Sequence, residues 1–362
     1  MSVKTTLHNW WAASIVWVKT HPRKRLVVGG GILIGIALIT SAVALTRPLP
    51  SVDSTPIKVT KPAPKPKFYS PLTGEIVDSE AATKQAVTGI MIENSPDARP
   101  QSGLKEAGVV YEAIAEGGIT RFLAVYQHQK PQLIGPVRSV RMYYVDWIAP
   151  YQASIAHIGG SAAALTEVRN GSYRDIDQFF NAPSYWRTSD RFAPHNVYTS
   201  FEKLDTLNQA KGYTTSEYKS FARTDKVDAA LPPATSIDIN FSSTWYNTHY
   251  DYAADTKTYP RSAGGEPSTD REKGQIAPSV VVAMHVDMST IMEDGARGSI
   301  TTTGSGKAEV FQNGKIISCT WRKASRADAL ELIDTAGKPV ELARGQTWIA
   351  AVPNDRGSVS WQ

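Results

Sequence analysis

The sequence is poor in cysteine: Cys319 stands alone among 362 residues. No intramolecular disulfide can form, so the fold must be held by its core in any compartment. Cys319 sits inside an apolar-alternating run with no histidine beside it, which reads as packing rather than a nucleophile. The seven histidines never fall at metal-ligand spacings such as H-x-x-x-H, so no metal and no cofactor is expected. A phosphate-binding loop is lacking as well. "TTTGSGKAE" carries Thr301 where the first glycine belongs and Ala308 after the lysine. "HIGGSAAAL" resembles a nucleophile elbow but has Ala163 where the last glycine is required.

Acidic residues are missing from the first 47 positions, which hold Lys4, Lys19, Arg23, Lys24, Arg25 and Arg47. These six account for the formal net charge of +5 and leave the remainder at −1. The globular part therefore has no electrostatic footprint for nucleic acid. Residues 26–45, "LVVGGGILIGIALITSAVAL", contain no charge at all. Such a stretch spans about 30 Å as a helix, the hydrocarbon thickness of a bilayer. "HPRKR" directly precedes it, so the positive-inside rule places residues 1–25 in the cytoplasm and everything after Arg47 outside. A cleaved signal peptide is the competing reading, since Ala42-Val43-Ala44 has the small-residue pattern. The long basic region and the unbroken span favour an uncleaved signal anchor.

Residues 46–67 form a Pro/Lys-rich linker, a semi-rigid spacer that lifts the globular part off the membrane. Beyond it the pattern predicts an α+β protein: a mixed α/β domain over 68–213, a polar connection over 214–236, and a mainly antiparallel β domain over 237–355. In the first domain, strands are expected at 87–93, 109–116, 121–127, 133–140 and 153–158, and helices at 142–151, 161–169 and 200–211. In the second, Asn313-Gly314 between two alternating runs predicts a hairpin, and residues 332–342 predict another.

Charged residues recur inside the apolar segments of the first domain. "YEAIAEGGITRF" holds Glu112, Glu116 and Arg121. On a strand the two glutamates share a face about 13 Å apart, too far for a glycosidase-type carboxylate pair. "MIENSPDARPQSG" adds Glu93, Asn94 and Arg99, and "IGPVRSVR" adds Arg138 and Arg141. Arginine forks suit carboxylates and phosphates and equally suit structural ion pairs. Ser161 is placed to cap a helix or to help hold an anion. His195 and Asn196 sit in a Pro-His-Asn turn suited to a general base or to satisfying backbone groups.

Taken together, "MIEN…ARPQSGL", "VYEAIAEGGITRF", "IGPVRSVR", "HIGGS", "RFAPHNVYTS", "YPRSAGG" and "GSGKAEVFQNGK…TW" resemble the YerB-like family, two-domain bacterial envelope proteins of unknown function. The resemblance runs from about residue 70 to 353 and implies an extracytoplasmic, membrane-tethered protein. Its members are often lipoproteins, whereas this sequence has a candidate membrane span and no anchor cysteine near it.

The expected site is a polar cleft in the first domain gathering Glu93, Asn94, Arg99, Glu112, Glu116, Arg121, Arg138, Arg141, Ser161, His195 and Asn196. Tyr143, Tyr144, Tyr185 and Trp186 would stand beside it. The expected ligand is peptidoglycan or another cell-wall glycan. The rivals are a glycan-processing enzyme with Glu116 or Glu93 as acid or base and His195 assisting, and a non-catalytic scaffold for membrane partners. An alkaline phosphatase reporter fused after Gln362 is expected to be active in living cells; a reporter active only in the cytoplasm overturns the orientation.

Overall fold

The computed structural model describes residues 67–291 and 297–362. The basic stub, the candidate membrane span and the linker up to residue 66 lie outside the described residues. Among the described residues no helix is long and apolar enough to cross a membrane.

The first segment supplies strands β1 (Thr88–Glu93), β2 (Val109–Glu116), β3 (Ile119–Tyr126), β4 (Ser154–Ala156) and β5 (Arg174–Asp175), with helices α1 (Met142–Ile148), α2 (Ala162–Val168) and α3 (Phe201–Ala210). The second supplies β6 (Ser236–Asn240), β7 (Thr248–Asp251), β8 (Arg261–Ala263), β9 (Glu266–Pro267), β10 (Val280–Val286), β11 (Gly304–Gln312), β12 (Lys315–Lys323), β13 (Glu331–Asp334), β14 (Thr347–Pro353) and β15 (Ser358–Trp361). The fold is α+β and mostly β.

Strands from both segments enter one ten-stranded mixed sheet, ordered β13-β12-β11-β10-β14-β2-β3-β1-β4-β5. At its seam β14 runs parallel to β10 on one side and to β2 on the other. A five-stranded antiparallel sheet, β9-β8-β7-β6-β15, is the second large element.

Period-two alternation gives the large sheet two buried faces. One face carries Met91, Tyr111, Leu123 and Val282, packed under Tyr143, Trp147 and Ile148 of α1 and Val168 of α2. The other carries Ile92, Val110, Phe122 and Trp348, packed against α3 and the small sheet through Phe201, Ile237, Ile239 and Tyr250. The turns are set by residue type. Gly117 and Gly118 both have positive φ, at 58° and 81°, and close the β2–β3 hairpin in two residues. Asn313 (φ 54°) and Gly314 (φ 70°) close the expected β11–β12 hairpin in the same way.

Two expectations need correction. Residues 133–140 form no strand; they make single bridges to Ser102, Thr199, Ile92 and Gly160. Pro136 has no N–H to donate, so a continuous ladder cannot form there. Glu112 and Glu116 do not share a face either, because the β2–β3 register shifts between Ile114 and Glu116. That bulge turns Glu116 towards Arg121 and Arg141, while Glu112 stays among the side chains of the opposite face.

Glu112 is fully buried and accepts four hydrogen bonds. Arg261 Nη2 reaches its two oxygens at 3.0 and 2.9 Å, Trp348 Nε1 donates at 2.9 Å, and Thr120 Oγ1 donates at 2.9 Å. The Arg261 guanidinium also lies 4.8 Å from the Trp348 ring centroid. Removing one member of such a pair strands the other's charge in the core, which costs about 3–5 kcal/mol. Arg261→Ala is therefore expected to lower unfolding stability by that amount in denaturant titration. The double variant Glu112→Gln with Arg261→Met should lose less than Arg261→Ala alone.

Candidate functional site

The predicted site residues divide between the two faces of the large sheet. On the helix-covered face, Arg121 Nη2 donates to Glu116 Oε2 at 2.9 Å, and Arg121 Nη1 donates to Ser139 O at 2.9 Å. Arg141, the residue preceding α1, also bonds Glu116. Nearby, Glu93 at the end of β1 is buried and meets Arg138 Nε at 3.3 Å and His195 Nδ1 at 3.0 Å. Ser95 Oγ donates to Glu93 Oε1 at 3.1 Å. Burial, resisted by the Glu93 charge, lowers the Arg138 pKa from the ordinary arginine value. His195 thus has one nitrogen on a buried carboxylate; the other lies 3.9 Å from the exposed Asp97 carboxylate. Chemically this group can hold an imidazole in one orientation, with Glu93 too enclosed to meet a ligand itself.

Ser161 and Asn196 take structural places. Ser161 caps α2 by accepting from Ala164 N. Asn196 accepts from Arg187 and donates to Thr188 O and Arg191 O, pinning the loop that carries His195. The expected aromatic wall is also displaced: Tyr143, Tyr144 and Tyr185 are buried core residues whose hydroxyls bond backbone carbonyls. Burial pushes the Tyr143 pKa up to about 12.

Asn94, Arg99 and Glu112 belong to the opposite face, where a cleft of about 300 Å³ opens between the first segment and the small sheet. Asn94, Arg99, Gln101 and Phe122 form one wall; Trp245, Arg261, Glu266 and Thr269 contribute to the other. One chain of hydrogen bonds runs beneath it. Asn94 Nδ2 donates to Thr120 Oγ1 at 2.7 Å, Thr120 donates to Glu112, and Glu112 holds Arg261. Arg261 Nη1 then donates to Ser268 Oγ. The sheet fixes the floor; Asn94 and Trp245 fix Arg99.

Arg99 is half-buried and bonds only neutral oxygens: Asn94 Oδ1 at 3.0 Å, Asn94 O at 3.2 Å and Trp245 O at 3.0 Å. Among the described residues no carboxylate lies within ion-pair distance of it, and its Nη1 bonds nothing. Burial first, and then the neighbouring Arg261 charge, lower its pKa from the ordinary arginine value. Its guanidinium lies 5.4 Å from the Tyr246 ring centroid. The cleft can therefore receive an anion, because one of its two arginines already has a carboxylate and the other does not.

Arg261, Gln101, Trp245 and Glu266 were not among the predicted site residues. One signal was present in the sequence: "YPRSAGG" sets an arginine in a β-rich segment, as a buried Glu112 requires.

Two other groups carry less. His157, Asp175 and Asp177 have ligand atoms within 4.8 Å of one another. Arg169 already bonds Asp177 at 2.5 Å, and His157 lies between Gly159 O at 2.8 Å and Asp175 at 3.1 Å, so the group reads as an ion-pair network. Cys319 is buried on β12, and burial pushes its thiol up to about 12, which keeps it unreactive at neutral pH.

Two family models match the chain in order. Residues 72–214 match the N-terminal domain model of a protein family of unknown function, DUF3048, and residues 237–349 match its C-terminal domain model. The putative lipoprotein YerB of Bacillus subtilis (strain 168) is 32% identical over 300 residues, covering 81% of this chain and 89% of the relative. The crystal structure of the YerB protein from Bacillus subtilis superposes with a TM-score of 0.73 at 30% identity, covering 81% of this chain and all of that one. With both domain models matched and a relative similar over most of its length, the chain belongs to the YerB-like DUF3048 family.

Proposed function

We propose that this is an extracytoplasmic protein, held at the bacterial membrane through residues 26–45, that binds an anionic cell-wall ligand in the cleft between its two segments. The observation that carries this reading is Arg99: a half-buried guanidinium at a cleft wall with no carboxylate partner among the described residues. Arg261 adds positive potential at the floor, while Glu112 fixes its position. The apolar run at 26–45, the proline-rich reach of the linker and the name of the lipoprotein relative support an envelope setting. The residues of the opposite face would hold the strand ends and loops in place rather than meet the ligand. An acid/base role for Glu116 is disfavoured, since two arginines already engage its carboxylate.

Full-length protein in detergent, mixed with purified cell-wall sacculi and sedimented, tests the reading. The wild type is expected to co-sediment, and Arg99→Ala to weaken retention at least about tenfold, or about 1.4 kcal/mol, while near-ultraviolet circular dichroism stays native. Failure of the wild type to sediment, or retention that Arg99→Ala leaves unchanged, overturns it. Soluble fragments released from the sacculi would instead move the protein to the enzyme class.

A further inference from the structure

Three features of the cleft narrow the ligand further. Arg99 supplies an uncompensated cation. Gln101 supplies an acceptor. This side chain is 5% exposed, and its Nε2 donates to Glu93 O at 2.9 Å and to Asn94 Oδ1 at 3.0 Å. Two oxygens facing one end of the amide fix that end as the NH2 group. Its Oε1 is therefore the other end, and it accepts no hydrogen bond from any described residue. This oxygen keeps some exposure at the cleft, so it can take a donor from a ligand or from water. Trp245 supplies a flat apolar surface: it lines the cleft and remains 62% exposed, among the most exposed large hydrophobic side chains described.

We propose that the cleft takes a sugar ring bearing a carboxylate. The carboxylate sits on Arg99, a hydroxyl or amide N–H of the sugar donates to Gln101 Oε1, and the apolar face of the ring lies on the Trp245 indole. Each group answers one part of that chemistry: charge, hydrogen-bond donor and flat hydrocarbon face. A bare inorganic anion uses only the first. A neutral sugar uses only the other two. The exposed carboxylate of Glu266 at the mouth accepts further ring hydroxyls and disfavours a ligand that is anionic all round. A volume of about 300 Å³ suits a monosaccharide-sized group better than a long strand enclosed whole. The inference rests on the anion-binding reading of the same cleft and goes beyond it in naming the rest of the ligand.

Isothermal titration of the full-length protein in detergent separates the two. The probes are N-acetylmuramic acid, its uncharged counterpart N-acetylglucosamine, and lactate and inorganic phosphate as small anions. N-acetylmuramic acid is expected to bind at least about tenfold tighter than each of the others. Trp245→Ala and Gln101→Leu should each weaken it about tenfold, and Trp245→Ala should leave lactate binding unchanged. Trp245 is exposed, so its variant is expected to fold, with circular dichroism as the control. If the small anions bind in an Arg99-dependent way and the acidic sugar binds no tighter, the sugar proposal fails and the anion reading stands. Acidic-sugar binding untouched by Trp245→Ala and Gln101→Leu overturns the proposal as well. If no probe binds and sacculi are not retained, both readings fall together.

Discussion

The ion pair between Glu112 and Arg261 is the constraint on which the arrangement depends. It joins a strand of the first segment to a strand of the second, with neither side chain more than 2% exposed. A carboxylate in that position is tolerable only because four hydrogen bonds, two of them from the Arg261 guanidinium, compensate it. The same guanidinium stacks on Trp348 of β14, the strand at the seam of the large sheet. Sheet, small sheet and cleft floor are thus fixed by one set of contacts.

That constraint also explains why Arg99 is chemically distinct from its neighbours. Arg121, Arg138, Arg141 and Arg261 each meet a glutamate. Arg99 is held instead by carbonyl oxygens and an asparagine, contacts that position a guanidinium without neutralising it. Burial lowers its pKa only from a very high starting value, so it stays charged at neutral pH. Arg223 is likewise held only by neutral oxygens but does not line this cleft, so Arg99 is set apart by its place on the cleft wall together with its missing counter-ion.

Much of this was legible in the sequence because it depends on local pattern. The strand at 109–116, the Asn313-Gly314 turn and the cap at Ser161 are set within a few residues. The site was legible only in part. Asn94 and Arg99 line the cleft, but Glu93, Arg138 and His195 fall on the other face of the sheet. A one-residue bulge decided the side of Glu116, and periodicity alone cannot show a bulge. Arg261 lies 149 positions from Glu112, and no local rule joins residues at that separation. Residues 133–140 looked like a strand because they are apolar, while Pro136 removes the donor that a strand would need.

Strand β14 is the second-to-last numbered strand, yet it lies between β10 and β2 in the middle of the large sheet. Synthesis delivers residues from the N-terminus onward, so β2 waits beside an empty lane until residues 347–353 arrive. The first segment meanwhile exposes an unpaired strand edge and a Glu112 that lacks its Trp348 donor, a state open to mispairing with other chains. The insertion of β14 both pairs the seam and brings Trp348 to Glu112 and Arg261. Proteolysis that removed the chain from β14 onward would leave the central lane of the large sheet empty and Arg261 without its Trp348 contact.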